Sequence, residues 1–232
     1  VRDVRKYLNE FLMDEKVIDI PKLARLLLVK GIIVPFRAPK SAAKYRTIWT
    51  EQGSPLVHIT KELVKSVAVE TSLPTYMCMR YAQPTPTDVL AQIAKEHPDL
   101  KEVVMLPLYP HYAMSSYETA VDHVNAAYKK GNYSFKMKVV KPFYNHPDYI
   151  KALAHSIKPM LEQNPNFDQL LFSYHGIPER HVKKTDVTLK HCLTCTDCCN
   201  VPSIAHQYCY RHQVIETTKL VAKELNLPEN KF

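Results

Sequence analysis

Residues 170–178 have the sequence Leu-Leu-Phe-Ser-Tyr-His-Gly-Ile-Pro, and this stretch decides the predicted fold. The apolar start is typical of a buried strand in a parallel sheet, which Gly176 and Pro178 then end. Ligands of open α/β sheets bind at the carboxyl ends of the strands. We therefore predict that His175 stands at such an end, where an imidazole can accept a proton or hold a metal. A lone histidine at the end of a strand is more often a packed or capping residue, so the prediction depends on the other motifs.

Helix-like and strand-like patterns alternate along the whole chain. Strands are predicted at 76–81, 102–109, 135–143 and 168–174. Helices are predicted at 4–13, 22–29, 58–70, 86–97, 115–130, 147–162 and 213–225. This alternation is typical of βαβ units, so it predicts an α/β fold with parallel sheets. A proline-bounded loop after the third strand predicts a boundary between an N-terminal domain, 1–142, and a second domain, 143–232.

Composition, charge and missing motifs argue against several classes of function. Hydrophobic residues make up 46% of the 232 residues, which is enough for a packed core, and no apolar run is long enough to cross a membrane. The formal charge of +8 is dispersed, which suits anionic small ligands or an anionic membrane surface. No helix-turn-helix, zinc-finger or RRM signature accompanies it, so we predict no nucleic-acid partner. No G-x-G-x-x-G or Walker loop is present, which argues against nucleotide binding through Gly-rich loops.

The cysteines are concentrated in one loop, residues 191–210. Five of the six lie there: Cys192, Cys195, Cys198, Cys199 and Cys209. Such a dense knot in a chain of domain size indicates metal binding in a reducing compartment, and we expect a cytoplasmic protein. The spacing begins like a bacterial ferredoxin run, but Pro202 stands where its fourth cysteine would be. Four thiolates from this loop would hold either a 2Fe–2S cluster or a tetrahedral zinc ion.

Four motifs together resemble one family. Residues 173–178 resemble the signature around the catalytic histidine of ferrochelatases, which insert ferrous iron into a porphyrin. Residues 40–56 resemble the porphyrin-binding segment of that family, 79–81 its Arg-Tyr pair, and 108–112 its tyrosine-proline loop. The motifs occur in the family's order and at roughly its spacing across nearly all of the chain. On these residues the chain is identified as a member of the ferrochelatases.

The resemblance implies a fold and a set of roles. The family has two similar Rossmann-like domains with the porphyrin in the cleft between them. His175 is implied as the catalytic residue, which accepts a pyrrole proton or holds the Fe²⁺ substrate. Imidazole would also accept Zn²⁺ or Co²⁺, so metal selectivity would be imperfect. The residues implied in substrate binding are Arg46, Arg80, Tyr81, Tyr109 and Ser115. The two arginines would pair with propionates or order the pocket wall.

The resemblance also bears on the cysteine loop. Some microbial ferrochelatases carry a 2Fe–2S cluster bound by an internal segment, which implies the ligands Cys192, Cys198, Cys199 and Cys209. A competing set replaces Cys199 with Cys195, because adjacent ligands strain a single site. Structural zinc, and free or disulfide-bonded thiols, remain alternatives. Mixed ligation remains another, since three histidines flank the knot: His191, His206 and His212.

Further expectations concern the extent and surroundings of the chain. By resemblance it lacks the family's first strand and C-terminal part, including a glutamate near the catalytic histidine, so we expect little activity from this chain alone. The basic, apolar stretch 22–40 suggests peripheral membrane contact, or else a helix packed in the core. Two other functions stay open: a non-catalytic iron–sulfur or zinc module, and a cobalt chelatase acting on another tetrapyrrole.

Overall fold

The chain forms two compact units in the computed structural model, which describes all residues from 1 to 232. The first unit contains Val1–Val103 and Thr119–Lys136, and the second contains Val104–Glu118 and Met137–Phe232. Each unit is therefore built from two separate pieces of chain. The predicted domain boundary between residues 142 and 143 stays a prediction.

Helices dominate both units. Those of the first unit are α1 (Arg2–Met13), α2 (Lys22–Leu26), a π-helical segment (Leu27–Ile33), α3 (Val34–Ile48), α4 (Pro55–Thr71), α5 (Pro86–Glu96) and α6 (Thr119–Gly131). Those of the second unit are a π-helical segment (Met114–Glu118), α7 (Pro147–Gln163), α8 (Glu179–Lys184), a 3₁₀ segment (Ile204–Tyr208), α9 (Tyr210–Glu224) and a last 3₁₀ turn (Glu229–Lys231).

A small parallel sheet pairs β1 (Glu102–Met105) with β2 (Lys136–Val139), and α6 lies between them along the chain. Backbone N–H groups of Lys136 and Val140 donate to the carbonyls of Lys101 and Met105, at 2.8 and 2.9 Å. This is the strand–helix–strand order that the sequence predicts, although both strands are shorter than expected. The α/β class is confirmed, as a helix-rich chain with a small parallel sheet.

The two other predicted strands are wrong. Residues 76–81 and 168–174 belong to no sheet. The side chain of Leu171 is 88% exposed, and the segment makes one backbone bond to the C-terminal turn, from Leu170 N–H to the Lys231 carbonyl at 2.7 Å. An apolar run shows that a segment is suited to burial, but a sheet also needs neighbouring strands to complete its hydrogen bonds. His175 therefore follows an unpaired segment and not a buried strand.

The end predicted for the helix at 22–29 is also wrong, because the chain stays helical to Ile48. Pro35 is the second residue of α3, which continues directly from the π-helical segment, so this proline also lacks a helical hydrogen bond. Pro39 lies inside α3 and is exposed. The buried face of this long helical stretch packs Val29 and Ala38 against Leu8 and Leu12 of α1. That packing outweighs the cost of the two helical hydrogen bonds that Pro35 and Pro39 cannot make.

The start of α5 follows its local chemistry closely. Thr85 caps α5: its hydroxyl oxygen accepts the Asp88 N–H at 3.3 Å, and its O–H donates to the Asp88 carboxylate at 2.6 Å. Pro86 follows as the first helical residue. Cap, proline and early acid are the three signals from which the sequence predicts this helix, and the prediction is confirmed.

Candidate active site

A buried carboxylate organises the site residues of the first unit. Asp14 Oδ2 accepts hydrogen bonds from Arg80 Nη2 at 2.6 Å, from the Tyr81 hydroxyl at 2.9 Å and from the Thr119 hydroxyl. Arg80 Nε also donates to Thr119 Oγ1, at 2.9 Å. The Asp14 side chain is only 6% exposed, and that of Arg80 is 21% exposed. We call these four residues the Asp14 network. It brings together Arg80 and Tyr81, which the sequence predicts, with two residues that it does not.

The charges of the Asp14 network follow from these bonds. Burial raises the pKa of Asp14, but hydrogen bonds from Thr119, the Lys16 N–H and Tyr81, together with the Arg80 charge, outweigh it and lower the pKa. Burial, the Asp14 charge and the bond to it raise the pKa of Tyr81. At neutral pH the network therefore holds an ionised carboxylate, a guanidinium and a neutral phenol.

An aromatic cluster surrounds Tyr81. The ring of Phe11 meets Tyr81 edge-on at 5.2 Å between centroids, and Tyr7 does so at 6.3 Å. Tyr7 in turn contacts Tyr45 edge-on at 6.4 Å. Arg80 lies over the Tyr81 ring, with Cζ 4.3 Å from its centroid. Edge-to-face rings and a cation over a ring face are both favourable, so this cluster is a rigid apolar surface.

The segment 40–56 ends in a tight turn. The N–H and carbonyl of Thr50 and Gly53 bond reciprocally, at 3.0 and 2.9 Å. Gly53 has φ near +93°, which a side chain would disfavour, so glycine is required there. Arg46 lies in the last turn of α3, where it is exposed and makes no ion pair. Its guanidinium is therefore available to an anionic ligand.

His175 lies in the second unit with an exposed side chain. The residue before it is fixed: the Tyr174 hydroxyl bonds Thr218 Oγ1 at 2.9 Å, and its ring meets His111 edge-on at 5.7 Å. The backbone of His175 also hydrogen-bonds Tyr210. Its neighbours are thus ordered while the imidazole stays accessible, as proton transfer or metal contact requires.

A second histidine, His111, is held inside the same unit. Its Nε2 lies 2.9 Å from Thr217 Oγ1, whose hydroxyl hydrogen is directed at the carbonyls of Tyr144 or Gln213. Thr217 can donate only one hydrogen, so it accepts the Nε2–H of a neutral His111. Burial lowers the pKa of His111 to about 4. This histidine is therefore a hydrogen-bonding residue and not the proton acceptor.

The tyrosine-proline loop is anchored next to it. The Tyr112 N–H donates to Gln213 Oε1 at 2.6 Å, and the Gln213 amide nitrogen donates to the carbonyls of His206 and Gln207. Gln213 is fully buried. Tyr109 is 37% exposed, and Ser115 is half-buried in the π-helical segment. The substrate-binding roles of both residues stay predictions.

Four of the loop cysteines are buried and the fifth is not. Cys192, Cys198, Cys199 and Cys209 are at most 8% exposed, Cys195 is exposed, and all are free thiols. Cys192 hydrogen-bonds Cys209, and Cys199 hydrogen-bonds Cys198. Backbone N–H groups of Leu193 and His212 approach the sulfurs of Cys198 and Cys209, each at 3.4 Å. However, no three histidine, cysteine or acidic side chains are arranged so that they could hold a metal ion.

Asp186, which the sequence analysis missed, shapes the start of this loop. Its Oδ2 accepts the N–H groups of His191 and Cys192, both at 2.7 Å, and its Oδ1 accepts the N–H and hydroxyl of Thr188. The residue is 3% exposed. Burial raises its pKa, but these four donors lower it far more. The Asp-x-Thr spacing was the available signal, since such pairs commonly form a local turn.

The three loop histidines support the backbone. His206 and His212 stack at 3.6 Å between centroids with an angle of 8°. Nε2 of His191 lies 2.8 Å from the Cys198 carbonyl, and Nδ1 of His212 lies 2.7 Å from that of Cys199. These imidazole nitrogens are directed at carbonyl groups and not at a common point with the thiols.

By fold, the chain is a helix-rich α/β protein with a short parallel sheet. A family model for ferrochelatase matches residues 1–232, and the chain belongs to the ferrochelatase family.

Named ferrochelatases are similar to the chain over almost all of its length. That of Porphyromonas gingivalis is 44% identical over 231 residues, which are 99% of this chain and 65% of the relative. That of Opitutus terrae is 44% identical, covering 98% and 66% of the two chains. That of Pseudomonas putida is 41% identical, covering 100% and 68%. The chain thus spans about two thirds of the length of these curated relatives.

The depressed pKa of His111 predicts a pH dependence of stability. In the unfolded chain this histidine becomes protonated below about pH 6.5, whereas in the folded chain it stays neutral down to about pH 4. Its stabilising contribution is thus complete above pH 6.5 and is lost as the pH falls toward 4. We expect the free energy of unfolding to drop about 1–2 kcal/mol more in the wild type than in His111→Gln between pH 7 and 5, allowing for partial exposure. Urea unfolding at both pH values measures this.

The exposed His155→Gln is the control, because its pH dependence should match that of the wild type. Tyr174 and Tyr210 are the titratable groups that face His111, and both have raised pKa values, so they stay neutral over this range. Identical pH dependence in the wild type and His111→Gln would contradict the assignment of a neutral, hydrogen-bonded His111.

Proposed function

We propose that the protein inserts ferrous iron into a porphyrin in haem biosynthesis, with protoporphyrin IX or coproporphyrin III as the acceptor. Membership of the ferrochelatase family supports the reaction class. The observation that carries the proposal for this chain is the accessible imidazole of His175, which follows a hydrogen-bonded tyrosine within the family's signature motif.

The chemistry assigns His175 a clear task. Metallation replaces two pyrrole N–H protons by one Fe²⁺ ion, so two protons must leave the macrocycle. A neutral imidazole can accept one of them or present the incoming ion. His175 forms no ion pair with a carboxylate in this structure, so no neighbouring carboxylate takes the accepted proton onward. We therefore expect the 232-residue chain alone to turn over slowly.

Substrate binding divides among the other residues. Arg46 is exposed and unpaired, which suits a salt bridge with a propionate. Arg80 is already paired with Asp14, so we assign it to ordering the pocket wall. The Tyr81 ring, with Phe11 and Tyr7 behind it, offers an apolar surface to a flat macrocycle. We assign Tyr109 and Ser115 to substrate binding as well, from their place in the tyrosine-proline motif and the segment after it.

Replacing the imidazole tests this role. We expect His175→Ala to lower the rate of zinc or iron insertion at least about a hundredfold, because a positioned proton acceptor contributes about that factor or more. Porphyrin affinity should change only a few-fold. Insertion is followed by the change in porphyrin absorbance, and affinity by quenching of porphyrin fluorescence, with the same 232-residue chain.

His155→Ala is the matched control, since it removes an exposed histidine from α7 of the same unit and should leave both quantities unchanged. An insertion rate that survives in His175→Ala would contradict the proposal, as would the absence of porphyrin binding to the wild type.

A second proposal concerns the cysteine loop, which we infer to bind a 2Fe–2S cluster through Cys192, Cys198, Cys199 and Cys209. Burial of these four thiols and exposure of Cys195 support this set over its competitor. Amide N–H groups directed at sulfur support it too, because such bonds tune iron–sulfur clusters. Since the side chains are not yet arranged as a metal site, we expect the loop to adjust on loading. The same donors would also suit tetrahedral zinc.

Visible absorption and metal content distinguish these outcomes. Protein purified without oxygen should be coloured and contain two iron and two sulfide per chain, as a 2Fe–2S cluster requires. Cys209→Ser should remove the colour, whereas Cys195→Ser should keep it. Colourless protein with one zinc would make the loop a zinc site, and loss of colour in Cys195→Ser alone would contradict the ligand set. Protein that contains the cluster but binds no porphyrin would favour a non-catalytic iron–sulfur module.

We also propose a cytoplasmic protein that touches an anionic membrane surface. Six free thiols fit a reducing compartment. The helical stretch from Lys22 to Ile48 exposes large apolar side chains among lysines and arginines, and Leu23, Leu27, Ile32 and Phe36 are 58–73% exposed. Such a surface suits interfacial binding. None of the helices has the length and apolar character needed to span a bilayer.

Vesicle binding tests the membrane surface. We expect co-sedimentation with vesicles containing anionic lipid to weaken about fivefold in Phe36→Ser, because a large apolar side chain is lost from the interface. Ile59→Ser, which removes an equally exposed side chain from α4, should bind as the wild type does. Binding that is insensitive to Phe36→Ser, or equal on neutral vesicles, would contradict the proposal.

A further inference from the structure

We propose that Asp14 is the positioning residue of the candidate active site: its buried carboxylate fixes Arg80 and Tyr81 in place before any ligand arrives. The inference rests on the proposed porphyrin site and adds to it a residue that none of the motifs contains. Asp14 itself touches no ligand in this account and acts through the two residues that it holds.

The carboxylate is fully used by the protein. Oδ2 accepts from Arg80, Tyr81 and Thr119, and Oδ1 accepts the Lys16 N–H at 2.8 Å. Three of these donors converge on Oδ2, and a backbone N–H holds Oδ1. With its side chain 6% exposed, Asp14 is not accessible to a ligand. Its role is therefore within the protein.

The donors come from distant parts of the chain. Arg80 and Tyr81 lie in the irregular segment between α4 and α5, and Thr119 opens α6. Asp14 directly follows α1, whose Phe11 and Tyr7 pack against the Tyr81 ring. The segment around Arg80 belongs to no helix or strand, and one backbone bond closes it, from the Met79 N–H to the Pro84 carbonyl at 2.8 Å, so the side chains need a further restraint. The Asp14 network supplies that restraint.

The guanidinium of Arg80 is consequently engaged in contacts within the protein. Its Nη2 is bonded to Asp14, its Nε to Thr119, and its planar group lies 4.3 Å over the Tyr81 ring. The charge of Arg80 is compensated by the carboxylate beside it. Pairing with a ligand carboxylate thus falls to Arg46, while Arg80 and Tyr81 present a preset surface. Preset geometry raises affinity because less order is lost on binding.

Porphyrin titration tests this role through a double-mutant cycle. We expect Asp14→Asn to weaken porphyrin affinity about tenfold, since one charge-assisted bond is worth about that factor. In a background that carries both Arg80→Gln and Tyr81→Phe the same change should cost less than about twofold, because neither residue through which Asp14 acts can then bond to it. Asp122→Asn is the control: it breaks the exposed Lys16–Asp122 ion pair and should leave affinity unchanged.

A second readout needs no porphyrin. Nitration of tyrosines, resolved by peptide mass spectrometry, requires an accessible phenolate. The Tyr81 hydroxyl donates to Asp14, and the Asp14 charge helps to raise the pKa of Tyr81. We expect Asp14→Asn to raise the nitration rate of Tyr81 about tenfold. The rate of Tyr128, which is half-buried in the same unit and donates to the Phe135 carbonyl, should not change and reports unfolding of that unit.

The two experiments distinguish failure of the Asp14 proposal from failure of the proposed function. A faster Tyr81 nitration together with the coupled loss of affinity supports the proposal. Unchanged nitration, or affinity losses that simply add, overturns it. If the wild type binds no porphyrin, the proposed function fails, and nitration alone decides the role of Asp14. If Asp14→Asn unfolds, seen as rapid nitration of Tyr128, Thr119→Val replaces it; a rise of about threefold at Tyr81 is then expected, and no rise overturns the proposal.

Discussion

The burial of a carboxylate is the constraint on which this structure depends most. Removing an ionised acid from water costs several kcal/mol unless hydrogen bonds replace the lost hydration. Asp14 meets this requirement with four donors, two of which come from the Arg-Tyr pair of the candidate site. Asp186 meets it in the same way at the cysteine loop, with two backbone N–H groups from His191 and Cys192. Each predicted functional region is therefore held by an acid that lies outside its motif.

Local chemistry explains which features could be predicted from the sequence. The start of α5 at Thr85 depends on three adjacent residues, and the motif around His175 and the cysteine knot are recognisable by composition and spacing. Asp14 could not be found in this way, because its partners Arg80 and Thr119 lie 66 and 105 residues away. Within its own segment it is one acid among several charged residues. The strand predicted at 168–174 failed for a related reason: an apolar run does not reveal whether neighbouring strands are present.

Two histidines lie in similar sequence motifs, and only their surroundings show which imidazole is accessible. His111 and His175 both follow tyrosine-containing motifs, and either could have been the proton acceptor. Burial and the Thr217 hydroxyl keep His111 neutral and engaged, whereas the side chain of His175 is exposed. His111 meets the ring of Tyr174, the residue that precedes His175. The buried histidine thus helps to order the backbone from which the accessible one projects.

The central claim is that the Arg-Tyr pair is fixed by the protein in the absence of ligand. The exchange of the Arg80 Nε–H with solvent, followed in ¹⁵N NMR spectra of the ligand-free chain at neutral pH, tests this most directly. A guanidinium held by Thr119 and Asp14 should give a separate, slowly exchanging Nε–H signal, far from the averaged position of exposed arginines such as Arg46. An Arg80 signal that exchanges as fast as that of Arg46 would contradict the account.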